Sequence, residues 1–309
     1  MDLGAHLPLL GWPGEEPPTL ASLTGFVRRA TELGFTWLSA NDHIVYGRPW
    51  LDGPTALAVT VADSGTATLA TSISLPVVRG PGPLAKAMAA IDRLSGGRVV
   101  IGVGPGSSER DYEAMGIAWS ERWPRFEEAV QAMHALLRPG GEPFIGRFYS
   151  TEGIELLPAA ARPGGPPIWI GSWGSEAGVR RVARLADGWL ASGYNATPSM
   201  FADARARLHA LLAEAGTDPS TFPNAVVSIF THVTEDRAEA DALLADVLAP
   251  MLHRDPSDLH ERLFVGPAGE IAAKAAAFRD AGAERIAIWP VGDPVEQLER
   301  FAAAVAELD

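Results

Sequence analysis

Short runs of β-branched or apolar residues alternate along this chain with longer Ala- and Leu-rich segments whose apolar positions recur at helical spacing. The runs that read as strands are Leu3 to Leu7, Thr36 to Ala40, Thr66 to Thr71, Arg98 to Val103, Ile168 to Gly171, Gly188 to Ala191, Ala225 to Thr231 and Arg285 to Trp289. Between them the helical pattern fills LASLTGFVRRATELG, PLAKAMAAIDRLSGG, RFEEAVQAMHALL, GVRRVARLAD, MFADARARLHALLAEAG and AGEIAAKAAAFRDAG. Several of these end in Gly or Gly-Gly, where the chain needs a positive φ to leave a helix. Strand-helix alternation implies parallel strands joined by crossover helices. Eight evenly spaced units favour closure into a (β/α)8 barrel, the TIM-barrel fold, over an open doubly wound sheet. The longest break in the alternation is RPGGEPFIGRFYSTEGIELLPAAARPGGPP, between the fourth helix and the fifth strand. It reads as an inserted excursion over 139–166, expected at the barrel mouth.

Length and composition fit one domain over 1–309 with a large core, since 47% of the residues are hydrophobic and 20% charged. The formal charge of -13 argues against nucleic acid and anionic membrane as partners. The chain has no cysteine, which excludes disulfides, thiolate metal sites and a cysteine nucleophile, and a redox reaction would need a borrowed cofactor. The opening MDLGAHLPLLGWPGEEPP lacks a basic region followed by a long apolar run, and no stretch has the ~20 apolar residues that span a bilayer, so a cytoplasmic protein is expected.

In a parallel α/β protein, chemistry gathers where strands end, and four such places stand out. After the second strand, Asp42 and His43 stand together, suited to proton exchange or to hydrogen-bonding a ring, or else to capping and packing a turn. After the third, Ser72-Ile73 lies in a polar stretch ending at Pro76, which reads as a bulge into the mouth or as an ordinary strand end. After the fourth, Gly104 and Gly106 let a flat ligand approach the backbone or merely serve a turn. They are no Rossmann fingerprint, because they follow the wrong strand and Pro105 has no N–H to offer a phosphate. After the fifth, Ser172, Trp173, Gly174 and Ser175 open a helix whose free N–H groups suit a phosphate, and Ser175 also reads as a plain N-cap. There is no GxSxG elbow, Walker loop, HExxH or EF-hand carboxylate set, and no metal site is expected. Of the other histidines, His6 and His232 lie near strand ends from which they can face the mouth. Nine tryptophans suit a planar ring or an apolar substrate, or the filling of the barrel ends.

The order of LGFTWLSANDH, TLATSISLP, AAIDRLSGGRVVIGVGPG, DYEAMGIAWSERWPRFEEAVQAMHALL, PPIWIGSWGSEAGVRRVARLADGWLAS and AGAERIAIWPVGD resembles the bacterial luciferase-like monooxygenase superfamily through nearly the whole chain. The resemblance implies a barrel that binds reduced FMN or the deazaflavin coenzyme F(420) at the mouth, with the phosphate at Ser172, Trp173, Gly174 and Ser175. It also implies a non-proline cis peptide at Ser72-Ile73 against the ring. His43 then becomes the proton donor or substrate-orienting group, and Asp42 fixes its tautomer or contacts the cofactor. The implied function is a flavin-dependent oxidoreductase, a monooxygenase using reduced FMN on a small organic substrate, with an F(420)-dependent reductase or dehydrogenase as the alternative. Pro105 stands where some FMN-dependent relatives have a basic residue, which favours the deazaflavin. A non-catalytic flavin-binding protein is a second alternative, and a barrel aldolase is disfavoured because Lys86 and Lys274, the only lysines, fall in helices. A separate flavin reductase and a homodimer are the partners that the resemblance allows.

Overall fold

A computed structural model of the chain describes residues 1–12 and 18–306, so part of the N-terminal stretch read above, residues 13–17, lies outside the described residues. The barrel is formed by β1 (Asp2–His6), β2 (Trp37–Ala40), β3 (Thr68–Thr71), β4 (Val99–Val103), β5 (Ile168–Ser172), β6 (Gly188–Ser192), β7 (Asn224–Val233) and β9 (Arg285–Pro290). Each pairs in parallel with the next, β6 with β7, β7 with β9 and β9 with β1, which closes the ring. All eight expected strands are present and the TIM-barrel expectation holds. The strand β8 (Phe264–Gly266) had no counterpart in the pattern. It stands outside the ring, paired with the Thr231–Val233 extension of β7, and three residues are too few to show an alternation.

The crossover helices are α1 (Leu20–Glu32), α2 (Gly53–Thr60), α3 (Pro76–Arg79), α4 (Pro81–Ser95), α5 (Glu109–Ala114), α6 (Arg122–Leu137), α7 (Glu176–Leu185), α8 (Pro198–Glu214), α12 (Ala268–Asp280) and α13 (Pro294–Val305). Between β7 and β8 lie α9 (Arg237–Ala242), a π-helical turn (Leu243–Leu248), α10 (Ala249–Leu252) and α11 (Pro256–Arg262).

Strand alternation sorts the core into two shells. Leu38, Leu69, Val99, Ile101, Ile168, Ile170, Ile286 and Ile288 face the helices. Trp37, Ala70, Val100, Trp169, Leu190, Ala225 and Ala287 fill the barrel axis. The indoles of Trp37 and Trp169, 5.3 Å apart, plug its N-terminal end, with the Arg285 guanidinium over both rings. The same alternation, two residues further along each strand, brings His6, Ser39 and Ser72 to the axis just under the C-terminal mouth, all buried.

The 139–166 excursion packs along the helices. Lys86 of α4 donates to the Leu157 carbonyl, and Asp92 near the end of α4 accepts from the backbone of Ala161 and Arg162 at 3.0 Å each. Glu128 of α6 accepts from the backbone of Phe148 at 2.7 Å, and Arg125 stacks on the Phe148 ring. With α4 and α6 the excursion encloses a groove lined by Lys86, Leu136, Tyr149 and Leu156 among others.

Candidate active site

The segment after β2 is zipped onto the segment after β1. Gly11 N–H donates to the Pro49 carbonyl at 2.9 Å, Leu51 N–H donates to the Leu9 carbonyl at 3.0 Å, and Leu10 bridges Trp50. This strap carries His43, whose Nδ1 lies 2.7 Å from Asp111 Oδ2 on α5. The other Asp111 oxygen accepts the backbone N–H of Ile44 at 2.9 Å and of Val45 at 2.8 Å. Burial raises the Asp111 pKa, but the bonds from His43 and the two N–H groups outweigh it and hold the carboxyl below its usual range. An ionised Asp111 can only accept, so Nδ1 carries the proton of the neutral ring and Nε2 is left to exchange one.

Asp42 does not fix the tautomer of His43, one of the two roles that the resemblance implied for it. Neighbouring residues at a strand end point apart, and Asp42 turns to Arg79 on α3, which holds both its oxygens at 2.6 Å and also reaches Asp52. The pair is bidentate, with Asp42 buried and Arg79 half-buried, and it ties the strap to the segment after β3. Asp111 was missed as a single residue. It is the first letter of the DYEAMGI motif, and an acidic residue opening a helix also reads as a favourable end charge.

The peptide between Ser72 and Ile73 is cis. Ser72 Oγ lies 3.4 Å from His6 Nε2, and the Ile73 side chain projects against the loops after β4 and β5. Glycines there make the space. A Cβ at Gly104 would overlap Ile73 Cδ1, one at Gly171 would lie 3.0 Å from Ile73 Cγ2, and one at Gly106 would lie 2.9 Å from Leu75 Cδ2. Gly104 and Gly106, expected to admit a ligand to the backbone, thus seat the bulge.

Ser172 Oγ accepts the Gly174 N–H at 3.2 Å, and Ser175 caps α7 by accepting the Gly178 N–H at 3.2 Å. Gly174 holds φ +85, where a side chain would be strained, and a Cβ on it would also press on Ala204. Trp173 is left 59% exposed beside them. Four of the expected residues therefore form one small-residue cradle at a helix N-terminus, with the cap already made by Ser175.

Aromatic side chains close the mouth. The His43 ring is 4.6 Å from Tyr46 and 4.7 Å from Trp50, Trp50 is 5.7 Å from Trp289, and Trp289 stacks on Phe230 at 4.7 Å and on His6 at 4.8 Å. Leu244, Leu248, Leu259 and Leu263, from the helical run between β7 and β8, pack onto this cluster, with Tyr194 and Trp12 at its margin. His232 is engaged elsewhere, by the Val291 carbonyl at 2.9 Å and by Glu239 at 3.2 Å.

Within this enclosure His6 Nδ1, Ser39 Oγ, Asn41 Oδ1, Trp50 Nε1 and Ser74 Oγ are buried without a hydrogen-bond partner among the described residues. Unpaired buried polar atoms are costly, and so many at one strand end mark a place where a ligand's polar edge completes the bonding. The isoalloxazine or deazaflavin ring has such an edge of alternating donors and acceptors, and the apolar shelf of Ile73 suits its flat face.

The family model for luciferase-like monooxygenases matches residues 3–308. The chain belongs to that family. Among its luciferase-like relatives is an F(420)-dependent glucose-6-phosphate dehydrogenase of Nakamurella multipartita, 34% identical over 185 residues, or 56% of this chain and 52% of the relative. The match thus spans about half that relative's length. A 5,10-methylenetetrahydromethanopterin reductase of Archaeoglobus fulgidus is 28% identical over 77% of this chain and 68% of its own. The solved structure of a monooxygenase from Streptomyces bottropensis superposes with a TM-score of 0.82 over 99% of both chains at 20% identity, which shows the fold alone. Family membership supports an oxidoreductase. No helix of the described residues is long and apolar enough to cross a membrane.

Proposed function

We propose that this chain is a coenzyme F(420)-dependent oxidoreductase that moves hydride between the deazaflavin and a small carbinol or carbonyl substrate. The observation that carries the reading is the His43–Asp111 pair, 2.7 Å apart, with the carboxylate fixed by two backbone N–H groups. Oxidising a carbinol releases a hydride and a proton, and the pair is built for the proton. The bound deazaflavin would supply or accept the hydride. His43 Nε2 takes the hydroxyl proton as the C–H bond breaks, Asp111 stabilises the imidazolium through Nδ1–H, and the reverse transfer protonates a carbonyl oxygen. Ser72, Ile73, Gly104 and Gly106 shape the shelf for the ring, Ser172 to Ser175 cradle the phosphate, and Asp42 acts through Arg79 as a strut. The F(420)-dependent relative and Pro105 support the same choice.

Monooxygenation with reduced FMN is the second reading, favoured by the aromatic enclosure, which would exclude water from the oxygen chemistry that a bound flavin would supply. A non-catalytic role is disfavoured because the proton pair is intact.

The test is titration of the purified protein with reduced and oxidised FMN and with F(420), followed by tryptophan fluorescence. Preferential binding of the deazaflavin is expected, weakened about tenfold by Ser172→Ala with Ser175→Ala, the loss of ~1.4 kcal/mol. Asp111→Asn and His43→Ala should leave that binding in place and lower single-turnover hydride transfer by about 10²-fold or more. Preference for FMN would move the conclusion to the second reading, and binding of neither would overturn the cofactor assignment.

A further inference from the structure

Among the described residues, two guanidinium groups stand at the mouth without a carboxylate. Other arginines are matched with acids, as Arg181 is with Glu127 and Arg300 with Glu296, or are held by backbone carbonyls, as Arg98, Arg162 and Arg207 are. Arg48, half-buried on the strap, has only the Met251 sulfur at 3.9 Å and the face of Trp12, 5.8 Å from its ring centre. Arg254, half-buried three residues beyond Met251, has only the Asn195 side-chain oxygen, and Asn195 is itself held by a 2.9 Å bond to Ser192. Among the described residues neither arginine meets an acid. Arg48 touches Met251, three residues before Arg254, and Trp12, Tyr46, Tyr194 and Met251 are the partly buried rim of one apolar cluster, so both arginines border that rim.

Two half-buried cations with neutral partners keep most of their N–H donors free, in a chain whose net charge of -13 offers ample acid to pair with. A neutral amide that orients Arg254 without cancelling its charge leaves the guanidinium available to an anion. The wall leading from this rim to His43 is aromatic, running through Trp12, Phe230, Trp289 and Trp50.

We propose that Arg48 and Arg254 form an anion subsite for the substrate, which is an aromatic or alicyclic carboxylate whose ring body lies on the aromatic wall with its reacting carbon towards His43. This rests on the reading of the mouth as the active site and narrows its substrate class. The carboxylate takes the two guanidinium groups, and the apolar body takes the partly exposed rim of the wall, Trp12, Tyr46 and Tyr194.

The experiment measures binding of naphthoate and naphthylmethanol, of equal ring size and different charge, to the whole protein by calorimetry, in wild type, Arg48→Gln, Arg254→Gln and the double variant. Arg138→Gln, on the far end of α6, serves as the control. Riboflavin and FMN are titrated in parallel, because the cofactor phosphate is the other anion that could use the pair. Naphthoate should bind at least about tenfold tighter than the alcohol in wild type, the preference should vanish in the double variant, and the FMN-over-riboflavin ratio should stay unchanged. Lys at both positions should restore part of the preference, which separates loss of charge from loss of fold. Equal binding of the two probes, or a preference that survives the double variant, overturns the proposal. Loss of the FMN-over-riboflavin ratio instead would assign the pair to the cofactor and overturn the substrate assignment. The naphthoate arm is run without cofactor, so failure of both FMN and F(420) to bind while the preference holds would sink the cofactor reading alone.

Discussion

His6 is fully buried, and burial lowers its pKa to about 3 from 6.5, so it is neutral at the base of the mouth. In the unfolded chain it takes up a proton below about 6.5. Between that pH and about 3 the unfolded state binds the extra proton, so stability falls as pH falls, by at most ~1.4 kcal/mol per pH unit. His6→Asn should flatten that decline in urea unfolding measured from pH 7 to 4, whereas an unchanged slope would mean that other groups carry it. Sequence reasoning placed His6 and His43 at strand ends because strand ends are visible in the pattern. It missed Asp111, 68 positions from its partner His43, because contact across the mouth leaves no mark in local spacing. It paired His43 with Asp42 for the same reason, nearness in sequence standing in for nearness in space.

The bulge after β3 is the element on which the site turns, and it is a joint product of three segments. Ile73 has room only because positions 104 and 171, in the loop after β4 and on β5, lack side chains, while a Cβ at Gly102 would collide with the Thr71 carbonyl that leads into the bulge. Overpacking of this kind typically costs ~1–3 kcal/mol. Gly104→Ala should therefore lower thermal stability and cofactor affinity, and Ile73→Val, which removes Cδ1, should restore much of both in the double variant. Independent, additive losses would show that the two positions do not meet. The long helices and β-branched strands were legible because each repeats its period several times. The short pieces were not, since α2, α3 and the run from α9 to α11 are cut by Pro or hold too few turns for a period to show.

Across the whole molecule, stability and function sit at opposite ends of the barrel. The N-terminal end is plugged by Trp37 and Trp169 and ringed by close strand pairing. The C-terminal end is covered by short helices and a π-helical turn, joined to the strap through the cluster of Leu10, Trp50 and Trp289 and through Arg48, and to the loop after β6 through Arg254. Such a cover opens at lower free energy than the ring, because few main-chain bonds cross from it to the strands. Amides of residues 243–254 should exchange faster than those of β4 and β5 in the ligand-free protein, and cofactor with substrate should slow them together with residues 45–51, since one apolar cluster joins the two segments. Exchange of the cover as slow as that of the strands, or slowing of one segment without the other, would mean that the mouth is a fixed wall and that ligands enter without moving it.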